Sequence, residues 1–298
     1  MFLPDGTQYF CHADIRYWTH GLDTPVLARQ AKGTLSVGLP HFHDFYELTV
    51  VMDGHGDYTY QGCTYHLEPG DAFITPPSVL HHYTNQRNLE LVNFIWYPEE
   101  MPLPFSSLGN LPGFRLFFDL EPQSRSYFRF EQRLVLSAEC LTEVRLVYLH
   151  MSQELQGHQE GYQLRLACLF YGLLIQLCRW QTKCQNSMED STLLRMERVV
   201  SYMEKHFGEH LTRPDMARLF AQGDRSFAEK FKQVMGETFG GHLMKIRLRH
   251  ARELLLSTDK SLTEIAQECG FCDSNYLCLV FRKKYGLPPH QYRLQRRS

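Results

Sequence analysis

The chain has 298 residues, 31 Lys and Arg against 33 Asp and Glu, and a hydrophobic content of 43%. That length points to two or three cores, and the composition excludes a disordered or fibrous polymer. Nine scattered cysteines, an odd number, argue against a disulfide framework, and Met1-Phe2-Leu3-Pro4-Asp5 has no basic start leading into an apolar run, so a cytoplasmic protein with reduced thiols is expected.

Residues 34 to 97 read as strands. Tyr46 to Val51 is β-rich and runs into Asp53-Gly54-His55-Gly56, which reads as a turn. Asp57 to Tyr60 and Thr64 to Leu67 flank Gln61-Gly62-Cys63 as a hairpin. Pro69-Gly70-Asp71 starts a further turn, Ala72 to Thr75 runs into Pro76-Pro77, and Leu91 to Trp96 is another strand. Short strands at this spacing indicate a barrel or sandwich. Residues 98 to 128, rich in Pro, Gly and Ser, read as a linker or loop region. From Arg133 the period becomes helical, with Leu141, Val144, Tyr148 and Met151 on one stripe. The next helix, Gln163 to Gln181, is apolar on nearly all sides and must be buried against other helices or a second subunit. Its longest apolar run, Leu166 to Cys178, is too short to span a bilayer and is flanked by Arg165 and Arg179. Lys183 to Asp190 is polar and suits a hinge, and the rest is helical.

Charge is divided unevenly. From Ser191 onward there are 19 Lys and Arg against 12 Asp and Glu, a net +7, and the residues before carry a net −9. The basic part holds one pattern twice. Leu211 to Gly236 and Leu262 to Gly286 both open on Leu-Thr, reach an alanine (Ala217, Ala266), pass a turn and close on Phe-x-x-x-x-Gly, with Phe231 and Phe281 fifty positions apart. Helix, tight turn and second helix form the helix-turn-helix pattern, and two copies fit two successive major grooves of DNA. In the second copy Cys269-Gly270 is the turn, Asp273 or Ser274 caps the next helix, and Tyr276, Leu277, Val280 and Phe281 make the core face. Ser274, Asn275 and Cys278 are left outward. Asn275 is the best base reader, since asparagine pairs bidentate with adenine, and Arg282, Lys283 and Lys284 suit phosphate.

The run GFCDSNYLCLVFRKKYG, followed by Pro289-x-x-Tyr292-Arg293, resembles the signature of the AraC/XylS family of bacterial transcription regulators. Ile246 to Leu255 resembles that family's linker helix between the two units, and Asp273-Ser274-Asn275 is similar to its rhamnose-regulator-like subgroup. The resemblance covers roughly Met196 to Arg293. The first unit departs from the pattern: Ala221 stands at the turn glycine, Gly223 at the N-cap serine, Phe239 at the family's proline and His242 at its tyrosine. Its matching outward residues are Arg225, Ala228 and Glu229. Arg225 suits guanine or phosphate, Ala228 a thymine methyl, and Glu229 a cytosine amine. Arg225 and Glu229 also stand at the spacing of an exposed helical ion pair.

His41-x-His43-x-x-x-Glu47, then Pro69-Gly70-Asp71 and His81, resembles the paired motifs of the cupin barrel, which the family's effector domains use. Strand parity puts His41, His43 and Glu47 on one face, and His81 arrives from a facing strand. Three readings stay open: an effector pocket for a sugar or related metabolite, the same pocket bearing a divalent transition metal, and histidines with structural hydrogen bonds only. Tyr58, Tyr60, Tyr65 and Trp96 offer stacking surface for a sugar ring or serve as core.

The expected fold class is α+β and multidomain: a cupin-like effector-binding β-barrel over 1–105, a linker and helical dimerisation segment over 106–190, and an all-α, homeodomain-like tandem helix-turn-helix domain over 191–298. The expected function is effector-controlled transcription regulation, chiefly activation, not enzymatic and with no required cofactor. The resemblance implies double-stranded DNA, RNA polymerase and a second copy of the chain as partners, without a membrane. The rival is a metal-dependent cupin enzyme acting on a sugar-like substrate and fused to a DNA-binding module.

Overall fold

The computed structural model describes residues 10–13, 24–32, 39–102, 108–109, 111, 113–120, 122, 125, 133–185 and 192–297. Two compact units divide the chain, Met1–Glu189 and Asp190–Ser298.

The described residues of the first unit form β1 (Phe10–Ala13), β2 (Val26–Lys32), β3 (His41–His43), β4 (Tyr46–Tyr60), β5 (Cys63–Leu67), β6 (Asp71–Thr75), β7 (His81–Trp96) and β8 (Leu134–Val135). The sheet runs β1-β3-β7-β4-β6-β8, with β2 also on β7 and β5 also on β4. Among the described strand pairs only β1–β3 is parallel. β4 and β7 pair along their lengths, from Tyr46 opposite Trp96 to Tyr60 opposite His81. The other edge of β4 takes β6 along its first half and β5 along its second. This folded-over antiparallel sheet is the cupin-like architecture. The turn expected at residues 53–56 is instead a set of bulges inside β4, where register slips three times against β7. Gly54 sits there at φ +71°, and a Cβ would lie 2.2 Å from the Asn88 carbonyl oxygen. The glycines mark a bend rather than a strand end.

Alternation along β4 separates two cores. Leu48, Val50 and Met52 join Ala72, Ile74, Val92, Phe94 and Trp96 under two helices, α1 (Ala138–Gly157) and α2 (Tyr162–Gln185). The opposite parity, including Val51, Phe73 and Leu91, packs with Tyr58, Tyr60, Tyr65 and Tyr83. Ser137 caps α1 by accepting from the Cys140 N–H. Leu166, Ala167, Phe170, Leu173, Leu174, Leu177 and Trp180 of α2 all enter the sheet-side core. The apolar girth of α2 is therefore largely covered within its own chain, with Phe170 at 5.0 Å from Trp96 between ring centroids.

The stretch expected as a linker over 98–128 lies partly outside the described residues, but its described part is packed. Arg115–Leu120 forms a π-helical segment, and Leu108, Phe114, Phe117 and Phe118 belong to the same core as the sheet. The hinge expected over 183–190 begins inside α2, and residues 186–190 lie outside the described residues. Glu90 of β7 ties sheet to helix, bonded to Gln30 of β2 at 2.8 Å and ion-paired with Lys32 at 3.0 Å and Arg145 of α1 at 3.1 Å. Burial alone would raise its pKa; the bonds from Lys32 and Gln30 and the charge of Arg145 outweigh this and hold it below the usual carboxylate range. No helix among the described residues is long and apolar enough to cross a membrane.

The second unit is helical: α3 (Thr192–Lys205), α4 (Arg213–Leu219), α5 (Asp224–Met235), α6 (Phe239–Ser257), α7 (Leu262–Glu268), α8 (Ser274–Tyr285) and α9 (Pro289–Arg297). The pairs α4–α5 and α7–α8 are the two helix-turn-helix motifs, and α6 connects them.

Phe170 is fully buried where α2 meets the sheet. Phe170→Ala is expected to destabilise the first unit by about 3–5 kcal/mol through lost burial and a residual cavity. Urea unfolding followed by near-ultraviolet circular dichroism checks this. A loss under about 1 kcal/mol would show that α2 is not fastened through that ring.

Candidate functional site

The inner face of the sheet carries Glu47 and Thr49 from β4, Thr75 from β6 and Asn93 from β7, in register with one another. Tyr58 Oη and Thr75 Oγ1 are 2.8 Å apart. At one end His43, Glu47 and His81 converge, with relative exposures of 2%, 7% and 0%. Nε2 of His43 and of His81 stand 3.7 Å and 3.8 Å from the same Glu47 Oε2. The backbone sets this up. A bend at Asp44-Phe45 separates β3 from β4, and His81 opens β7 opposite both His41 and Tyr60.

Each imidazole is aimed by a carbonyl nearby in the chain. His43 Nδ1 lies 2.7 Å from the Phe45 oxygen, His81 Nδ1 2.9 Å from that of Val79, and His41 Nδ1 3.0 Å from that of Leu39. A carbonyl only accepts, so all three Nδ1 atoms carry the proton, and in the neutral ring Nε2 keeps its lone pair. Burial pushes His81 well below the ordinary histidine value, with the charges of His41 and His43 adding to it, so its ring is neutral near pH 7. The Glu47 carboxylate is fixed by Asn93, whose Nδ2 donates to Oε1 at 2.7 Å. His43, Glu47 and His81 each offer one ligand atom within 4.8 Å of the others, which suits a metal ion. His41 is half-buried and only flanks this group, its ring centroid 4.3 Å from that of His81. Burial lowers its pKa too.

Tyr58, Tyr60 and Tyr65 line the inner core, whereas Trp96 has the opposite parity and packs under α2. Arg125 was not legible in the sequence, where it is one cation in a Ser-rich stretch. It is 1% exposed, its guanidinium carbon is 4.5 Å from the Tyr60 ring centroid, and its Nη2 donates to the Ile74 carbonyl at 2.7 Å.

In the second unit, α7 starts with a full capping box between Ser261 and Glu264 and ends at Cys269. Gly270 follows at φ +73°, where a Cβ would meet Arg247 Nη2 at 2.8 Å and the Gly208 oxygen at 2.9 Å, so only glycine fits this turn. Asp273 caps α8 by accepting from the Tyr276 N–H at 2.7 Å, and that bond holds its carboxyl below the usual range. Leu277 and Phe281 are buried. Tyr276, expected in the core, is 40% exposed, and Leu279 is 68% exposed. The outward stripe of α8 is therefore Asn275, Tyr276, Leu279, Arg282 and Lys283, with Lys284 exposed beside it. Ser274 and Cys278 are half-buried at its margin. The signal for Leu279 was helical spacing, one turn after Asn275. Burial pushes the Cys269 thiol up to about 12 while Cys272 is exposed, so the Cys-x-x-Cys spacing joins two unlike environments.

On α5 the outward stripe is Arg225, Ser226, Glu229 and Lys232. Ala228 is half-buried and lines a groove with Arg213, Lys232 and Thr238. Arg225 Nε lies 3.2 Å from Glu229 Oε1, the exposed ion pair. Gly223 caps α5 without a side-chain bond, and Ala221 takes the left-handed turn at φ +57°.

Residues 25–174 match the AraC-like ligand binding domain family, and residues 216–295 match a helix-turn-helix domain family. The HTH-type transcriptional activator RhaS of Escherichia fergusonii is 30% identical over 261 residues, spanning 85% of this chain and 86% of that protein. The HTH-type transcriptional activator RhaR of an Enterobacter species is 25% identical over 258 residues, spanning 87% and 88%. A solved AraC-type transcriptional regulator from Chromobacterium violaceum matches 35% of this chain and 92% of its own at 30% identity and a TM-score of 0.33.

Ala221→Gly relieves left-handed strain of about 1–2 kcal/mol and gives back up to about 1 kcal/mol of unfolded-state entropy. The segment 191–298 should therefore gain roughly 0.5–1 kcal/mol, read as a higher thermal midpoint. A lower midpoint would show that the alanine methyl group makes contacts worth more than the strain.

Proposed function

Because the chain belongs to the AraC family of transcription regulators, we propose that its inner sheet face binds a small polyhydroxylated effector and that α5 and α8 read DNA. The observation that carries the DNA reading is the α8 stripe. Asn275, Tyr276 and Leu279 lead into Arg282 and Lys283 on one exposed face, so base-reading groups precede phosphate-binding ones along one groove. Leu279, exposed one turn after Asn275, suits contact with a thymine methyl. On α5 Glu229, ion-paired with Arg225, puts a carboxylate on the face that would meet DNA, which supports a smaller share of specificity for the first motif.

For the effector, the support is a buried histidine–carboxylate group beside tyrosines and threonines, a lining that suits a ligand rich in hydroxyls, such as a sugar. Relatives named as transcriptional activators favour a regulator over a metal-dependent enzyme; an activator of this kind would act on RNA polymerase, in the cytoplasm.

The proposed dimer rests on a smaller surface than the sequence implied, since α2 is largely covered. Leu146 and Leu149 of α1 and Leu164 of α2 remain 51%, 46% and 60% exposed. The chain is expected to sediment as a dimer at micromolar concentration, and Leu146→Glu/Leu149→Glu to sediment as a monomer. A dimer unchanged by the double substitution would move the interface elsewhere.

Asn275→Ala is expected to relax base preference at one operator position, a cost of about 1–3 kcal/mol on specific DNA alone. Lys283→Ala should weaken specific and non-specific duplexes alike and flatten the salt dependence by about one counterion. Fluorescence anisotropy over a salt series separates the two. Equal effects of both substitutions on both duplexes would mean that α8 does not lie in the groove.

A further inference from the structure

We propose that Leu279, with Tyr276 beside it, reads the 5-methyl group of an operator pyrimidine rather than the base pair that carries it, so that 5-methylcytosine is read at this position as thymine is. This rests on the placement of α8 in the major groove proposed above, and it adds a rule for what the middle of that helix discriminates.

The starting point is an apolar side chain left in water. Leu279 is 68% exposed, more than any other large hydrophobic among the described residues. The core of this unit takes Leu277 and Phe281 from the other side of α8, so Leu279 contributes little to folding. Burial elsewhere would stabilise it. Its place is the centre of the outward stripe, with Asn275 one turn before it, Tyr276 three residues before it on the same face, and Arg282 and Lys283 one turn after it. Tyr276 is held still. Its N–H donates to the Asp273 carboxylate at 2.7 Å, and its ring leans on Phe271 with centroids 6.3 Å apart. A fixed ring and an isobutyl group thus form an apolar step between the polar start and the basic end of one helix face.

The chemistry of the groove decides what such a step can read. Thymine presents its O4 acceptor and its 5-methyl group there, and cytosine presents its N4 amine. Leucine has neither a donor nor an acceptor. It gains nothing from O4 over N4, and covering either one costs desolvation. What it gains is the apolar area of the methyl group, which stands at the same ring position in thymine and in 5-methylcytosine. One buried group of that size is worth about 4-fold in affinity. Asn275 and Arg282, by contrast, read hydrogen-bonding edges and so distinguish one base pair from another. The half-site under α8 is therefore expected to hold one position where the gain from a methyl group is the same on an A·T pair as on a G·C pair.

The test uses the full chain and a duplex that this chain selects from a random pool. Each thymine of the selected site is replaced in turn by uracil, cytosine and 5-methylcytosine, and affinity is read by fluorescence anisotropy at fixed salt. At one position the methyl group should raise affinity by about 4-fold in both comparisons, thymine over uracil and 5-methylcytosine over cytosine. Leu279→Ala should equalise both comparisons at that position alone, without lowering the thermal midpoint, since the side chain is exposed. Leu279→Met, still apolar, should keep them. Equal affinity for thymine and uracil at every position, or a selected site without thymine, overturns the proposal. So does a methyl gain on A·T that is absent on G·C, because the pair is then being read, or a gain that persists in Leu279→Ala, because another residue is then the reader. If Asn275→Ala relaxes base preference and Lys283→Ala weakens all duplexes while no methyl effect is found, α8 stays in the groove and only this rule falls. If neither of those substitutions changes binding, both readings fall together.

Discussion

The pairing of β4 with β7 is the constraint from which the sensing unit follows. Side chains alternate across a strand, so each residue of this ribbon belongs to one of two environments. Leu48 and Val50 lie under the helices while Glu47 and Thr49 face inward. A slip of one residue would drive Glu47 into the apolar core and turn Leu48 toward the polar interior, which burial energetics strongly oppose. The bulges around Gly54 let the ribbon bend without losing that assignment in either half. His81, Asn93 and Glu90 all sit on β7, so one strand positions a histidine, the carboxylate's anchor and the ion network that reaches α1.

In the DNA-binding unit, arginine does two kinds of work. Arg247 of α6 donates to the Phe207 and Glu209 carbonyls, both at 2.8 Å, and closes over Gly270. Arg293 of α9 donates to the Leu255 and Lys260 carbonyls at 3.1 Å and 2.7 Å. Arg213 pairs bidentate with Asp224, joining α4 to α5. The net positive charge of this part of the chain therefore overstates the charge that faces phosphate. What remains on α8, Arg282, Lys283 and Lys284, is concentrated in one turn.

The repeated helical units were legible because a short helix, a fixed turn and a second amphipathic helix leave little freedom. Gly270, Asp273, Leu277 and Phe281 each do what their chemistry implied. The strands were legible from alternation and turn residues. Three features were not. Residues 98–128 read as a linker because Pro, Gly and Ser dominate locally, yet Phe114, Phe117 and Phe118 supply core. The glycines at 54 and 56 read as a turn, since composition does not distinguish a bend within a strand from its end. The apolar α2 implied burial against other helices or a second subunit, and much of that surface is covered by a sheet face within the same chain. At the inner sheet face, spacing singled out His41, His43, Glu47 and His81 together, and parity gives His41 and His43 the same face, so it could not separate His41 from the three residues whose ligand atoms converge. Asn93 and Arg125 depend on register and on packing between distant segments, which no local pattern carries.

The two helix-turn-helix motifs are not equally well built. The second has a capping box on α7, an aspartate cap on α8 and glycine in its turn; in the first, α5 begins at an uncapped glycine and the turn holds an alanine at positive φ. Local opening is governed by such end effects, so α5 should exchange its amide hydrogens faster than α8 and fray first on warming. The protein would then grip its operator by one half while the other half is still settling. A complex held this way can shift along the duplex, or release one half-site, without dissociating.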